Sequence, residues 1–223
     1  LALSMEKLTA ENARLSREHK PITDNWLLAD VDVAIEEANE FRYAGGGTIV
    51  EVTSVGIRRD PVALRRVARA TGLNIVMGCG WYQKAYHPAN MDRRTVDDMT
   101  EEIVRDITIG VGETDIRSGI IGEVGIEGEP LTENEIKSIR ASARASKATG
   151  AAISFHRGGN DGQDKLRVAG IVADEGVDPS RVIFGHSDFV AHDVDLLLKL
   201  LGTGVYVQFD IIGRLGITIP WGT

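Results

Sequence analysis

One cysteine in 223 residues leaves no internal disulfide to form, so this protein is not a cross-linked scaffold. Cys79 fits a reducing compartment, and a cytoplasmic location is the expectation. Long apolar runs are missing too. No stretch reaches the ~18 residues of a membrane-spanning helix, and no secretory leader is visible in a chain that begins at Leu1. Positive charge is in deficit, with 25 Lys+Arg against 33 Asp+Glu and a net charge of −8. That balance argues against nonspecific nucleic-acid binding. A glycine-rich phosphate loop is also lacking. Gly45, Gly46 and Gly47 stand before a strand-like run, not between a strand and a helix, so the dinucleotide-binding context is not met.

What is present is alternation. Apolar strand runs trade places with amphipathic helix patterns, the mark of βα repetition. Val31, Ala34, Ile35, Ala38 and Phe41 fall on one face of a helix over 30–43. Strands are expected at 48–53, 73–80, 119–124, 151–156, 182–185 and 204–210. Helices are expected at 60–72, 96–109, 132–150, 164–175 and 190–201. Asp60-Pro61 supplies an N-cap and first-turn proline, Thr132 and Glu135 have capping-box spacing, and Asp188 reads as the cap of the helix after it. The pattern predicts a single α/β domain over 1–223, a (β/α)8 TIM barrel. Such a ring has eight strands and about 250 residues. With six strands counted, its first and last strands are unaccounted for, so the barrel reads as incomplete at both ends or joined across absent segments.

Three polar residues stand at the ends of three successive strand runs. Glu123 follows Gly119–Gly122, His156 follows Ala151–Phe155, and His186 follows Arg181–Gly185, at intervals of 33 and 30 residues. Each interval is one strand–helix unit, and a parallel barrel gathers such strand ends around one mouth. A carboxylate and two imidazoles there can hold a divalent metal. Structural hydrogen bonding is the duller reading of either histidine, and an arginine-paired carboxylate that of Glu123. Burying Glu123 without a cation, however, is expensive. Asp210, at the next strand end, is expected to contact substrate or to support a ligand. Trp81 and Tyr82, with Tyr86 and His87, are expected to wall a substrate pocket. His19 and His192 read as solvated helix-face residues and Cys79 as buried strand filling. Glu51, in the middle of an apolar strand, has no reading beyond a weak supporting role.

At these residues the chain resembles the phosphotriesterase-related family of the amidohydrolase superfamily. The similarity runs from about Ile35 to Gly213 and is carried by Gly47–Thr53, Gly119–Gly125, Ala143–Gly150 and above all Gly176–Asp188. It implies a (β/α)8 barrel with a binuclear metal centre: a His-x-His on strand one, a bridging acid on strand four, single histidines on strands five and six, and an aspartate on strand eight. His156 and His186 match strands five and six. Gly122 occupies the place of the carboxylated lysine found in some members, and Glu123 follows it, as in the branch where glutamate takes over the bridge. No His-x-His occurs in this sequence, and no aspartate after Gly213 matches strand eight. The resemblance implies a hydrolase with two divalent ions, zinc foremost and Co, Mn, Ni or Fe as alternatives. A metal-activated water would attack a lactone, carboxylic ester or phosphoester. No residue is assigned as the proton carrier. A small-molecule substrate and a homodimer complete the expectation. The rival reading is a noncatalytic barrel that binds a small molecule or a partner through an incomplete metal site.

Overall fold

The computed structural model describes residues 7, 9, 11, 27–127, 130–157 and 162–211. His19 and everything beyond residue 211, the strand-eight region included, lie outside them. The chain divides into two compact units, one formed by Leu1–Gly47 with Arg65–Asn74, the other by Thr48–Leu64 with Ile75–Thr223.

In the first unit, helix α1 (Val31–Tyr43) starts where the Asp30 carboxylate accepts from the Asp32 and Val33 amides at 3.0 and 3.3 Å. Those amides have no partner inside the helix, which is why an aspartate stands there. The apolar face is narrower than the sequence pattern, since Ala38 is buried while Ala34 and Phe41 are exposed. Helix α2 (Pro61–Thr71) begins in the second unit, where Asp60 accepts from the Ala63 amide at 3.0 Å.

The second unit is built on a six-stranded sheet: β1 (Thr48–Glu51), β2 (Asn74–Cys79), β3 (Ile120–Val124), β4 (Ile153–Phe155), β5 (Val182–Phe184) and β6 (Tyr206–Val207). The strands lie side by side in chain order, and β2 through β6 pair in parallel. A doubly wound sheet reverses its order partway across. This one does not, and its order is that of a (β/α) barrel. Helices α3 (Val96–Thr108), α4 (Glu133–Thr149), α5 (Gln163–Asp174) and α6 (Val194–Gly202) connect the strands. Parallel strands covered on both faces are apolar throughout, and Ile121, Ile153, Phe155 and Phe184 are wholly buried. Each such side chain contributes about 1.5–3 kcal/mol of burial. Helix α4 opens with the expected reciprocal cap, Glu135 accepting from the Thr132 amide at 2.7 Å, and stops at Gly150.

The strands are shorter than expected, β6 most of all at Tyr206–Val207 against 204–210, and one helix start differs. The helix expected from 190 begins at Val194, and Ser187–Val190 form a short 3-10 turn. The cap of α6 is Asp193, which accepts from the Leu196 amide at 2.9 Å, and not Asp188. Asp188 instead accepts from the Asp210 and Ile211 amides at 3.0 and 3.4 Å, tying the turn after β5 to the segment after β6. A carboxylate can cap any free amide within reach, and here the tertiary partner prevails over the local one.

Candidate metal centre

The three strand-end residues are positioned by three local devices, all in the second unit. Ile121 faces Ile153 and Val124 faces Phe155, so three steps along β3 match two along β4. That extra residue is a β-bulge at Gly122–Glu123, and a bulge re-aims a side chain. The Glu123 amide donates to the Val52 carbonyl at 2.8 Å, across the face of β2. Gly78 makes this approach possible, because a Cβ there would stand 2.1 Å from the Gly122 carbonyl oxygen and 2.9 Å from the Val52 Cα.

His156 continues β4, its amide donating to the Val124 carbonyl at 2.8 Å. His186 adopts φ 48°, ψ 40°, the left-handed region that costs a residue with a Cβ about 1–2 kcal/mol. Its amide donates to Asp210 Oδ2 at 3.3 Å, and its Nδ1 meets Asp210 Oδ1 at 2.7 Å. A carboxylate oxygen accepts from Nδ1–H, which leaves Nε2 as the nitrogen of the ring that can ligate.

That Nε2 lies 3.8 Å from Glu123 Oε1, and the His156 Nε2 lies 3.8 Å from Glu123 Oε2. One ligand atom from each of the three residues falls within 4.8 Å of the others. Two donors bound to one tetrahedral zinc at about 2.1 Å stand about 3.4 Å apart. The 3.8 Å pairs exceed that spacing by a few tenths of an ångström and the widest separation, up to 4.8 Å, by about 1.4 Å, so side-chain movement is needed to close on one ion, while the donor types fit a divalent metal.

The electrostatics agree with the geometry. Burial above all raises the Glu123 carboxyl above the ordinary carboxylate range, with Asp210 adding to the rise and His186 and Lys165 opposing it. A cation between its oxygens would reverse that shift. Burial, then His186, Lys165 and Arg157, pull His156 down to about 3. His156 is thus neutral at physiological pH, the form that ligates, and its approach to Glu123 is not an ion pair.

Tyr82 and Gln83, from the loop after β2, complete the surroundings of His156. The Tyr82 hydroxyl meets His156 Nε2 at 2.8 Å, and the Gln83 amide nitrogen meets Nδ1 at 3.1 Å. Burial, followed by Glu123, pushes the Tyr82 phenol upward, so it stays protonated and can donate. Rotating the Gln83 amide half a turn presents its oxygen to a protonated Nδ1 and leaves Nε2 as acceptor, the ligating tautomer. Gly125 lets this loop lie against the end of β3, since a Cβ there would stand 2.3 Å from the Gln83 nitrogen.

The remaining predicted residues divide. Asp210 reaches the cluster through His186, as described. Trp81, expected to wall a pocket, is 1% exposed and belongs to the apolar core, where the Arg94 guanidinium lies 5.1 Å from its ring centroid. It follows the buried half of β2, Met77–Cys79, and its indole continues that packing. Tyr86 is exposed beside Tyr82, with ring centroids 5.4 Å apart, and His87 meets the Tyr82 carbonyl through Nε2 at 2.9 Å. His192 is exposed. Cys79 is fully buried, its thiol pushed up to about 12 by desolvation, which removes it as a nucleophile. Glu51 accepts from the Thr53 amide at 3.0 Å and turns the chain out of β1. Sequence reasoning missed Gln83 and Lys165. Gln83 has no sequence signal beyond following Tyr82. Lys165 had one, because it shares the buried face of α5 with Val168, Ala169 and Val172 at helical spacing.

A sequentially ordered parallel sheet, with a carboxylate and two imidazoles at its strand ends, defines a (β/α) barrel able to hold metal at its mouth. The chain belongs to the phosphotriesterase family, whose model matches residues 2–220. It is 40% identical over 221 residues to an N-acetyltaurine hydrolase of Dictyostelium discoideum, an alignment covering 99% of this chain and 59% of that protein. It is 34% identical over 214 residues to a phosphotriesterase-related protein of Nematostella vectensis, covering 94% and 60%. Among solved structures, a resiniferatoxin-binding protein from Rhodobacter sphaeroides superposes with TM-score 0.87 at 35% identity, covering 95% of this chain and 59% of that one. The Escherichia coli phosphotriesterase homology protein, complexed with phosphate in its active site, gives TM-score 0.78 at 33% identity, covering 84% and 63%. The chain thus spans between about half and three fifths of the length of the curated relatives it matches.

Proposed function

We propose that this protein is a metal-dependent hydrolase whose metal ligands include Glu123, His156 and His186. The observation that carries the reading is their convergence, one ligand atom each within 4.8 Å of the others. Glu123 turns one oxygen toward each histidine, an arrangement suited to bridging two ions. Zinc matches the imidazole-rich donors, with Co, Mn, Ni and Fe as alternatives. The chemistry such ions supply when bound is polarisation of the scissile oxygen and a water acidified toward a pKa of about 7.

The chain's own residues do the rest. Asp210 holds the Nδ1 proton of His186 so that Nε2 faces the ion. Gln83 does the same for His156 once its amide oxygen faces Nδ1. The Tyr82 hydroxyl meets His156 Nε2 at 2.8 Å, and an ion taking that nitrogen would free the hydroxyl to donate to a substrate oxygen. Asp188 holds the backbone that carries Asp210.

The substrate class is narrowed by the relatives. Proteins at 33–40% identity from slime mould, frog, fish and mammals are named N-acetyltaurine hydrolase, which favours a small carboxamide over the lactone or ester expected from sequence. The phosphate in the E. coli neighbour shows that a related site accepts a tetrahedral oxyanion, the geometry through which amide hydrolysis passes. The test is metal analysis of the purified chain with hydrolysis assays on N-acetyltaurine, lactones, esters and phosphotriesters. Uptake of divalent metal with amide cleavage, both lost in Glu123→Gln, is expected. A metal-loaded protein inert on all four classes would reject the proposal.

A further inference from the structure

Lys165 is 1% exposed, in the first turn of α5, on the helix face it shares with the buried Val168, Ala169 and Val172. Burying an ammonium is costly unless its protons are used. One of them is donated to the Gly185 carbonyl at 2.8 Å, and the nitrogen stands 5.5 Å from the centroid of the Phe184 ring. Both contacts are to the end of β5, directly before His186. Gly185 itself is crowded. A Cβ there would lie 3.2 Å from the Phe155 carbonyl oxygen and 3.4 Å from Glu123 Oε1. The peptide that Lys165 grips is therefore the one that carries the chain past Glu123 into the left-handed conformation of His186. A strained residue persists only where its surroundings over-determine it, and Lys165 supplies one of those constraints from outside the strand.

We propose that Lys165 is a positioning residue of the metal centre, holding His186 in its ligating pose through the Gly185 carbonyl. The inference rests on the metal-site reading above and adds a residue that touches neither ion nor substrate. Asp210, Glu123 and Asp188 act on the ammonium favourably and Arg157 unfavourably. Burial brings Lys165 down to about 8, so it remains largely protonated at neutral pH and keeps its donor role.

A nearby positive charge and a positioning group predict opposite signs for metal affinity. If Lys165 acted only as a charge, it would repel a divalent ion, and its removal would tighten binding. If it positions His186, removal weakens binding although a repelling charge has gone. The experiment compares wild type with Lys165→Met, which keeps volume and the contact with Phe184. Two readouts are used: Zn(II) affinity by competition titration, and the His186 Nδ1–H resonance of the metal-free, 15N-labelled protein. We expect at least a tenfold weaker Kd for Zn(II) and loss or broadening of that resonance, with the His156 signals retained. An unchanged resonance with equal or tighter Zn(II) binding overturns the proposal. Wild-type protein that takes up no Zn(II) overturns the metal reading instead, and the resonance, measured without metal, then decides the role of Lys165 alone. Lys165→Gln is read in the same way if the Met variant does not fold.

Discussion

Two carboxylates in the second unit, Asp106 buried and Glu123 half-buried, have opposite surroundings. Asp106, on α3, is 4% exposed and meets the Arg59 guanidinium at 2.8 Å, while the same Arg59 nitrogen also reaches the Gly78 carbonyl at 3.2 Å. Glu123, on β3, faces two imidazole nitrogens at 3.8 Å, of which that of His156 is neutral at physiological pH. Burial pushes both carboxyls above their ordinary range, and Arg59 works against the rise at Asp106. The difference separates a charge that the fold satisfies for itself from one that it leaves for a ligand. An ion pair in the core is a stability feature whose removal on one side is costly. A carboxylate aimed at two imidazole nitrogens, with no guanidinium bonded to it, is suited to sharing a cation with them.

The contrast can be broken most sharply at Asp106. Asp106→Ala leaves Arg59 buried and unpaired, and we expect a loss of about 3–5 kcal/mol in urea unfolding. Glu123→Gln, by comparison, should cost the metal-free protein no stability while abolishing metal uptake. Equal destabilisation by the two variants would erase the distinction. Asp210→Asn should weaken metal binding by about 10–100-fold, because the amide can present its NH2 to His186 Nδ1 and favour the wrong tautomer. Calorimetric titration with Zn(II) reads this directly, and an unchanged affinity would remove Asp210 from the site.

A pH series sharpens the comparison further. His156 titrates at about 3 when folded and near its ordinary ~6.5 when unfolded. Between those values the unfolded chain binds the extra proton, so metal-free stability falls as pH drops below about 6.5, by up to about 1.4 kcal/mol per unit. Glu123 and Asp106, both raised, act in the opposite sense. Their folded forms take protons first, so they reduce the slope in the acid part of the window. Urea midpoints of the metal-free protein from pH 7.5 to 5 should decline, and His156→Asn should flatten the decline. The smallest effect belongs to the outer helices, where Arg144 meets Glu175 at 3.0 Å and Asp97 at 2.8 Å while 40% exposed. Arg144→Ala should cost about 0.2–1 kcal/mol, less at high salt.

Much of the frame was legible in advance. The six strands and the helices between them follow from hydrophobic period and from end signals such as Asp60-Pro61 and the Thr132–Glu135 pair. Boundaries moved where tertiary contacts competed with local ones, as at Asp188, which caps the segment after β6 and not the helix beside it. Within the site, the spacing of Glu123, His156 and His186 announced their meeting. The β-bulge that aims Glu123, the Tyr82–Gln83 loop over His156 and the burial of Trp81 did not show, because each depends on a contact between segments far apart in sequence. The place of Lys165 on an apolar helix face is visible in the sequence, but its bond to the Gly185 carbonyl is a tertiary contact.

By itself the sequence determined the alternation, the parallel order it entails and the residue types available at the strand ends, since these depend on period and spacing along one chain. Only the tertiary structure decided which nitrogen of His186 meets Asp210, which carboxylate faces two imidazoles and which lysine grips the peptide before His186. Hydrogen-bond direction and desolvation are set by neighbours brought together through space.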